Sequence, residues 1–344
     1  MTGRRRAMLT TLATLTVGGC KSDRDLFEQT NTDGWAQAPT DQVDILFVVD
    51  DSTSMIDEQE TLASGFASFA SQLESSGTDF HLGVITTSFR YDDPDRGRLL
   101  GDPPILTASD DYEAAFTERA IVGLGGSDKE KGLEAAAFAV HPSMTLPGAP
   151  NEGFVRRDAA LLVVAVSDED DCSDAGALEG QSPTACYEQD SALTPVVELV
   201  SSLQALKDDP ALVTVGAIVA PKGPTCPDAY FGSRYIAAAL LTGGKSGDIC
   251  QTDWSGMLEE FGVTATGIRT AFQTTEAAKP ETIVVHVDDV EVAQDEVDGW
   301  TYDTSTWFLE FHGAGIPPRG SLVTATYTVQ PGVSEPEVAG TTTP

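Results

Sequence analysis

The sequence predicts an α/β fold in which a doubly wound, mostly parallel sheet is followed by a small C-terminal β unit. Near-continuous apolar runs, such as "VDILFVV" (Val43–Val49) and "LLVVAVS" (Leu161–Ser167), alternate with segments of helical periodicity. That alternation is typical of parallel strands buried on both faces by helices. After about residue 279 the pattern changes to short stretches that alternate at period two, which indicates antiparallel strands.

The elements of the main domain can be predicted in order. Helical spacing is clearest after the first strand, where Leu62, Phe66, Phe69 and Leu73 mark one apolar face. The further strands are predicted in "DFHLGVITTS", "DAALLVVAVS", "LVTVGAIVA" and "GDIC". The further helices are predicted after the glycine-rich loop at Ser127 and in "ALTPVVELVSSLQALK", "SRYIAAALLTGG" and "TDWSGMLEEFGVTATGIRTAF". The β unit is predicted to contain a hairpin in "ETIVVHVDDVEVA", turning at Asp288–Asp289, and strands in "WTYD", "TWFLEF" and "SLVTATYTV".

These patterns divide the chain into five predicted segments. They are a signal peptide (1–19), a polar tether (20–42), the α/β domain (43–278), the small β domain (279–330) and a Pro/Gly/Thr-rich disordered tail (331–344).

The N-terminal segment predicts export. A basic stretch (Arg4–Arg6) precedes an apolar stretch (Ala7–Val17) that is too short to cross a bilayer. The ending "VGGC" resembles a bacterial lipobox, which implies cleavage before Cys20 and lipidation of that cysteine. Lysine at position 21 then favours the outer membrane of a diderm bacterium. A plain signal peptide cleaved elsewhere is the alternative, and the choice between the Sec and twin-arginine routes stays open.

The chain is strongly acidic, with a formal net charge of −34. Such a charge repels nucleic acid and anionic lipid headgroups, so we expect no nucleic-acid partner. An excess of carboxylates keeps an exported protein soluble and also attracts divalent cations.

Four cysteines besides Cys20 form an even set, which in an exported chain predicts two disulfides. Three pairings are possible, and we favour the sequence-local pairs Cys172–Cys186 and Cys226–Cys250 because each lies within one loop region. A zinc site is the rival interpretation, but no CxxC spacing supports it.

Polar residues follow the first strand directly. Asp50, Ser52 and Ser54 come at its exit, where open α/β sheets bind ligands. A carboxylate with neighbouring hydroxyls suits a hard cation, with Mg²⁺ the leading candidate and Mn²⁺ or Ca²⁺ possible.

The segment "VVDDSTSM" resembles the first motif of the metal-ion-dependent adhesion site (MIDAS) of von Willebrand factor A (vWA) domains. "GGSDKEKGL" resembles the second motif, with Ser127 in place of the usual threonine, and "LLVVAVSDED" resembles the third, with Asp168 at the strand end. The resemblance covers about residues 43–272. It implies that Ser52, Ser54 and Ser127 bind the metal directly, and that Asp50 and Asp168 hold it mostly through water.

Two other interpretations of these acidic loops stay open. Ser54 or Asp51 can serve as the N-cap of the following helix instead of, or as well as, contributing to a metal loop. In "DEDDCSD", the carboxylates of Asp168, Asp170, Asp174 and Glu179 follow the spacing of a calcium loop, but Ser173 replaces its glycine.

The whole arrangement also resembles bacterial vWA lipoproteins that carry "SDEDDCS" and a trailing β unit. This likeness implies an envelope location more than an activity. The three MIDAS-like loops lead to the first hypothesis, a lipid-anchored module whose cation binds an Asp or Glu carboxylate of a partner protein. The alternative is a structural envelope protein in which the cation only stabilises loops. We expect no enzymatic activity, because none of the four histidines neighbours a candidate nucleophile.

Overall fold

The computed structural model describes residues 29–37, 40–223, 226 and 229–333. Its helices and strands follow in chain order as β1 (Thr30–Ala36), β2 (Gln42–Val49), α1 (Ile56–Ser76), β3 (Asp79–Thr86), α2 (Tyr112–Ala120), α3 (Gly132–Ala139), α4 (Pro142–Thr145), β4 (Ala160–Ser167), α5 (Ala185–Glu188), α6 (Val196–Gln204), β5 (Val213–Val219), α7 (Ser233–Leu241), β6 (Ser246–Asp248), α8 (Ser255–Ala265), β7 (Ala271–Gln273), β8 (Val284–Val287), β9 (Val290–Val292), β10 (Trp300–Asp303), β11 (Phe308–Phe311) and β12 (Leu322–Thr328).

A five-stranded parallel sheet with helices on both faces forms the larger part of the molecule, which confirms the predicted α/β architecture. Its strand order is β3-β2-β4-β5-β6. Side chains alternate along β2: Phe47 packs with α1 and α2 on one face, whereas Leu46 and Val48 face the core under α3, α6 and α7. The chain runs from β2 to β3 on one side and later to β4 on the other. The carboxyl ends of β2 and β4 therefore form a topological switch point, where such sheets bind ligands.

The second unit consists of two antiparallel sheets, ordered β1-β12-β8-β9 and β10-β11-β7. They share a core that includes Phe272, Trp300, Phe311 and Tyr327. The predicted hairpin is present as β8 and β9, and both residues of its turn, at 288 and 289, have positive φ angles. Two-residue hairpin turns favour that backbone conformation.

The structure corrects the predicted tether and the boundary of the β unit. Thr30–Ala36, assigned from the sequence to the tether, is a strand that pairs along its length with β12. Asp33 fixes it further, because its carboxylate accepts the Tyr327 hydroxyl at 2.6 Å and the Thr275 amide at 2.8 Å. β7, assigned to the α/β domain, pairs with β11. The tether prediction failed because β1 is a polar strand whose partner lies almost 300 residues away.

The β unit packs against the edge at which the parallel strands begin. The Arg319 guanidinium donates to the Thr78 hydroxyl at 2.9 Å and to the Thr266 carbonyl at 2.5 Å. Thr78 precedes β3 and Thr266 follows α8, so both lie at that edge.

A buried ion network lies near the same edge. Asp44 on β2 is fully buried and accepts the Lys207 ammonium at 2.9 Å and the Arg156 Nε at 2.8 Å. The Lys207 ammonium also donates to the Arg156 carbonyl at 2.6 Å. The network ties β2 to the segments before β4 and after α6.

Candidate functional site

The candidate site lies at the carboxyl ends of β2, β3 and β4, which stay bonded to one another at their last residues. The Asp50 amide donates to the Val166 carbonyl at 2.9 Å, and the Thr87 amide donates to the Val49 carbonyl at 3.1 Å. The three loops that leave these strands therefore begin side by side.

Asp50 is the buried centre of the first loop, with 0% of its surface exposed. Its carboxylate accepts the Ser52 amide at 2.7 Å and the Ser167 hydroxyl at 2.5 Å. Burial raises the pKa of Asp50 to about 6, and the nearby Asp168 carboxylate adds to that rise. Ser167, the last residue of β4, was missed from the sequence because it resembled any polar residue at a strand end.

The Ser52 and Ser54 hydroxyls lie 3.1 Å apart on the same loop. Ser54 is exposed and Ser52 is nearly buried. The alternative interpretation of Ser54 or Asp51 as the N-cap of α1 is wrong, because the helix is capped at Met55 and receives no side-chain cap bond. The Ser54 hydroxyl thus remains at the mouth of the site.

Gln59 on α1 joins the first loop to the glycine-rich loop. Its amide nitrogen donates to the Asp50 carbonyl at 2.8 Å and to the Gly123 carbonyl at 2.9 Å, and its side-chain oxygen accepts the Gly123 amide at 3.3 Å. This buried side chain was also missed from the sequence, where a glutamine among other polar residues gave no signal.

Ser127 is held to the first loop through intermediates. Its amide donates to the Ser88 hydroxyl at 2.7 Å, and that hydroxyl donates to the Asp51 carboxylate at 2.8 Å. The Gly126 amide also donates to the Asp51 carbonyl at 2.8 Å. The Ser127 hydroxyl itself accepts the Lys129 amide at 3.2 Å. The second loop is therefore fixed beside the first, with the Ser127 hydroxyl in a local turn.

Asp168 lies at the end of β4, is 3% exposed, and acts on Asp50 as a neighbouring charge. Its carbonyl accepts the Tyr230 amide at 2.7 Å. Burial raises the pKa of the next residue, Glu169, to about 7, and the carboxylates of Asp50, Asp168 and Asp128 add to the rise. The structure therefore brings Asp50 and Asp168 together in a strongly negative environment.

The calcium-loop interpretation of "DEDDCSD" is wrong, because its carboxylates bind protein donors from different elements. Asp170 accepts the Ser233 hydroxyl at 2.6 Å and the Arg234 amide at 2.9 Å. Asp174 pairs with the Lys131 ammonium at 2.6 Å.

Glu130 is a further buried acid that the sequence did not identify. It is 1% exposed, and one of its carboxylate oxygens accepts the Thr87 hydroxyl. Carboxylate oxygens of Asp50, Asp51 and Glu130 lie within 4.8 Å of one another. Burial, reinforced by the Asp50 charge, raises the pKa of Glu130 well above its usual range. In "SDKEK" nothing in the sequence distinguished this glutamate from the other charged residues of the run.

Aromatic side chains are exposed beside the third loop. Tyr187 and Tyr230 are 48% and 54% exposed, and their ring centroids lie 5.5 Å apart. Tyr187 follows the Cys172–Cys186 loop and Tyr230 lies within the Cys226–Cys250 loop. Together they provide an apolar contact surface next to the Asp168 carbonyl that Tyr230 binds.

Both favoured disulfides, Cys172–Cys186 and Cys226–Cys250, are present. Cys20 lies outside the described residues, as do the predicted signal peptide and most of the predicted tail. Within the part of the chain that the structure describes, no helix combines the length and apolar character that a membrane span needs.

No family model and no curated protein matches the chain. Proximal thread matrix protein 1 from the mussel byssus is a similar solved structure, at 13% identity and a TM-score of 0.38 over 71% of this chain and 52% of that chain. The pilus adhesin SpaC from Lactobacillus rhamnosus GG, in its open conformation, is similar at 11% identity and a TM-score of 0.34, over 87% of this chain and 40% of that chain. This chain thus spans about half or less of these two proteins, and likeness at these scores identifies no family.

Proposed function

We propose that this chain is a vWA-type binding module that attaches to a partner protein through a bound divalent cation. Mg²⁺ is the leading candidate for the cation, with Mn²⁺ or Ca²⁺ possible, and its ligands are Asp50, Ser52, Ser54, Ser127 and Asp168. The observation that carries the proposal is the burial of the Asp50 and Asp168 carboxylates at the switch point, where each feels the charge of the other, next to paired serine hydroxyls.

A cation accounts for the chemistry of this arrangement. Two buried carboxylates that repel each other are costly, and a hard cation accepts both carboxylate and hydroxyl oxygens. Ser127 joins the ligands when its hydroxyl turns away from the Lys129 amide, a rotation that its unbranched side chain permits. The directly bound serine hydroxyls carry no charge, and Asp50 and Asp168 hold the cation mostly through water, so the cation retains affinity for an Asp or Glu carboxylate of the partner. The exposed rings of Tyr187 and Tyr230 offer that partner an apolar contact beside the charged centre.

The proposed location is the cell envelope, with a lipid on Cys20 as the anchor. The predicted signal sequence and the lipobox-like ending "VGGC" support this location, and the two disulfides agree with an oxidising compartment.

The alternative function is structural, with a cation that only stabilises the loops. Glu130 favours it, because an internal third carboxylate can neutralise the cation without a partner. The two functions differ in whether chelation releases a bound protein.

The test measures cation binding and cation-dependent attachment on the full chain in detergent. We expect Mg²⁺, Mn²⁺ or Ca²⁺ to release or absorb heat on titration, and Ser52→Ala/Ser54→Ala or Asp168→Ala to abolish that signal. Ser71→Ala is the control, because Ser71 is exposed on α1 and donates only to its own helix. The absence of heat with all three cations refutes the cation site.

A second measurement separates adhesion from the structural alternative. Immobilised chain is exposed to envelope proteins with and without chelator, and then with free acetate as a competing carboxylate. Retention that is lost with chelator, with acetate and in the serine double variant supports adhesion. Retention that none of these changes refutes it.

A further inference from the structure

Glu130 has a carboxylate oxygen that lacks a hydrogen-bond partner among the described residues. One oxygen accepts the Thr87 hydroxyl, but Oε1 is buried and receives no donor. A buried, unpaired carboxylate oxygen costs free energy, and neighbouring negative charges increase that cost. The Glu130 carboxylate lies in a cluster with the Asp50 and Asp51 carboxylates, so a bound cation would satisfy this oxygen and offset the three negative charges together.

The backbone holds Glu130 in this position from two sides. Its carbonyl accepts the Cys172 amide at 2.6 Å, which connects it to the Cys172–Cys186 disulfide loop. It also forms an antiparallel bridge with Ser88, and the Lys131 amide donates to the Thr87 carbonyl at 3.1 Å. The position is therefore fixed by the fold and is not one state of a free loop.

The lysines that flank Glu130 do not neutralise it. The Lys131 ammonium pairs with Asp174 at 2.6 Å, and the Lys129 ammonium donates to the Leu178 carbonyl at 2.7 Å. Both amines are thus directed to the disulfide loop, and neither supplies a counter-charge to the cluster around Glu130.

We propose that Asp50, Asp51 and Glu130 together bind a divalent cation, with Glu130 as a direct ligand and Ca²⁺ preferred over Mg²⁺. Ca²⁺ accepts six to eight oxygens at about 2.3–2.6 Å and tolerates several carboxylates, so its opposite ligands lie about 5 Å apart. Mg²⁺ requires a tighter octahedron and usually keeps water in place of a third carboxylate. The inference rests on the proposed cation site, with which it shares Asp50, but it adds two ligands and changes the preferred ion.

The test titrates Ca²⁺ and, separately, Mg²⁺ into the full chain in detergent. Glu130→Gln keeps an oxygen that accepts the Thr87 hydroxyl and removes only the charge. We expect Ca²⁺ affinity to fall by at least about 100-fold, more than is typical for loss of a group that only orients a metal ligand. Asp128→Asn is the matched control, because it removes the same charge from an exposed side chain two residues away. We expect it to change the affinity less than about threefold, since surface charges are screened by salt.

A purely structural role for Glu130 would act through its hydrogen bond to Thr87. Thr87→Val removes that bond and keeps the carboxylate, so we expect Ca²⁺ affinity close to that of the wild type. If Glu130→Gln fails to fold, Glu130→Asp serves instead, because it keeps the charge but withdraws the oxygens by one methylene. We expect it to lower the affinity as well.

The outcomes separate this inference from the proposed function. Equal Ca²⁺ affinity in the wild type and in the folded Glu130 variant overturns the inference, and so does tighter binding of Mg²⁺ than of Ca²⁺. If the serine double variant loses binding while the Glu130 variant keeps it, only the proposed serine site stands. A wild-type chain that binds neither cation refutes both.

Discussion

Gly126→Ala should separate the two loops that form the candidate site. A Cβ added at Gly126 would lie 2.4 Å from the Asp51 Cγ and 2.7 Å from the Asp51 backbone oxygen. The same backbone oxygen accepts the Gly126 amide at 2.8 Å, so the loops cannot part without breaking that bond. Forced overpacking costs about 1–3 kcal/mol and the lost hydrogen bond about 1 kcal/mol, which together give about 2–4 kcal/mol.

Gly125→Ala is the matched control, since a Cβ at Gly125 meets nothing within 4 Å. We expect its stability to stay within about 0.5 kcal/mol of the wild type, because alanine only restricts the unfolded chain. Urea unfolding followed by circular dichroism measures both variants. Cation affinity should also fall at least about tenfold in Gly126→Ala alone, since displaced ligands no longer converge. Equal unfolding midpoints for the two variants would refute the close contact between the loops.

Three further outcomes test other parts of the molecule. Asp44→Asn should lower the free energy of unfolding by about 3–5 kcal/mol in urea, because it leaves the fully buried Lys207 ammonium without a counter-charge. An added Lys207→Met should recover part of the loss. Unchanged stability would contradict the buried ion network. Burial raises the pKa of Asp50 from 3.8 to about 6, so the metal-free native chain holds a proton that the unfolded chain releases. The stability of the metal-free chain should therefore fall by up to about 3 kcal/mol as pH rises from about 4 to about 6. Thermal melts measure this trend, and saturating cation should remove or reverse it. Stability that rises with pH in the absence of cation would contradict the burial of Asp50. Replacing Cys226 and Cys250 by alanine opens a loop of 24 residues and should cost about 3.5 kcal/mol in urea unfolding, whereas no loss would show that the loop is held by other contacts.

The parallel sheet was predictable because its strands are local, strongly apolar runs. The apolar runs that identify the strands Val43–Val49 and Leu161–Ser167 are each only seven residues long. Because both faces of these strands are buried, the apolar residues are nearly continuous and do not alternate with polar ones. α2 was missed although Tyr112, Phe116 and Ala120 recur at helical spacing, because the helix is only nine residues long. β1 was missed because its stability comes from pairing with β12 and from the Asp33 contacts.

Sequence motifs predicted where the first loop of the site lies, but not the side chains that connect the loops. Asp50, Ser52 and Ser54 follow a strand directly, so the strand prediction placed them at the right edge of the sheet. The side chains that connect the loops are Gln59, Ser88 and Ser167, and they look like ordinary polar residues. Glu130 shows the same limit, because its burial depends on Thr87 and Asp50, which are distant in sequence. Which member of a charged run becomes buried is decided by tertiary packing.

The β unit and the acidic loops lie at opposite edges of the parallel sheet. That unit holds the edge at which the parallel strands begin, and it carries both the first and the last described parts of the chain, since the Val329 amide donates to the Gln29 carbonyl at 2.7 Å. The acidic loops occupy the other edge, and the eight residues of β2 span about 26 Å between the two edges. A support bound to the described chain at Gln29 or Val333 would therefore leave the acidic loops facing away from it, with the length of the parallel strands in between.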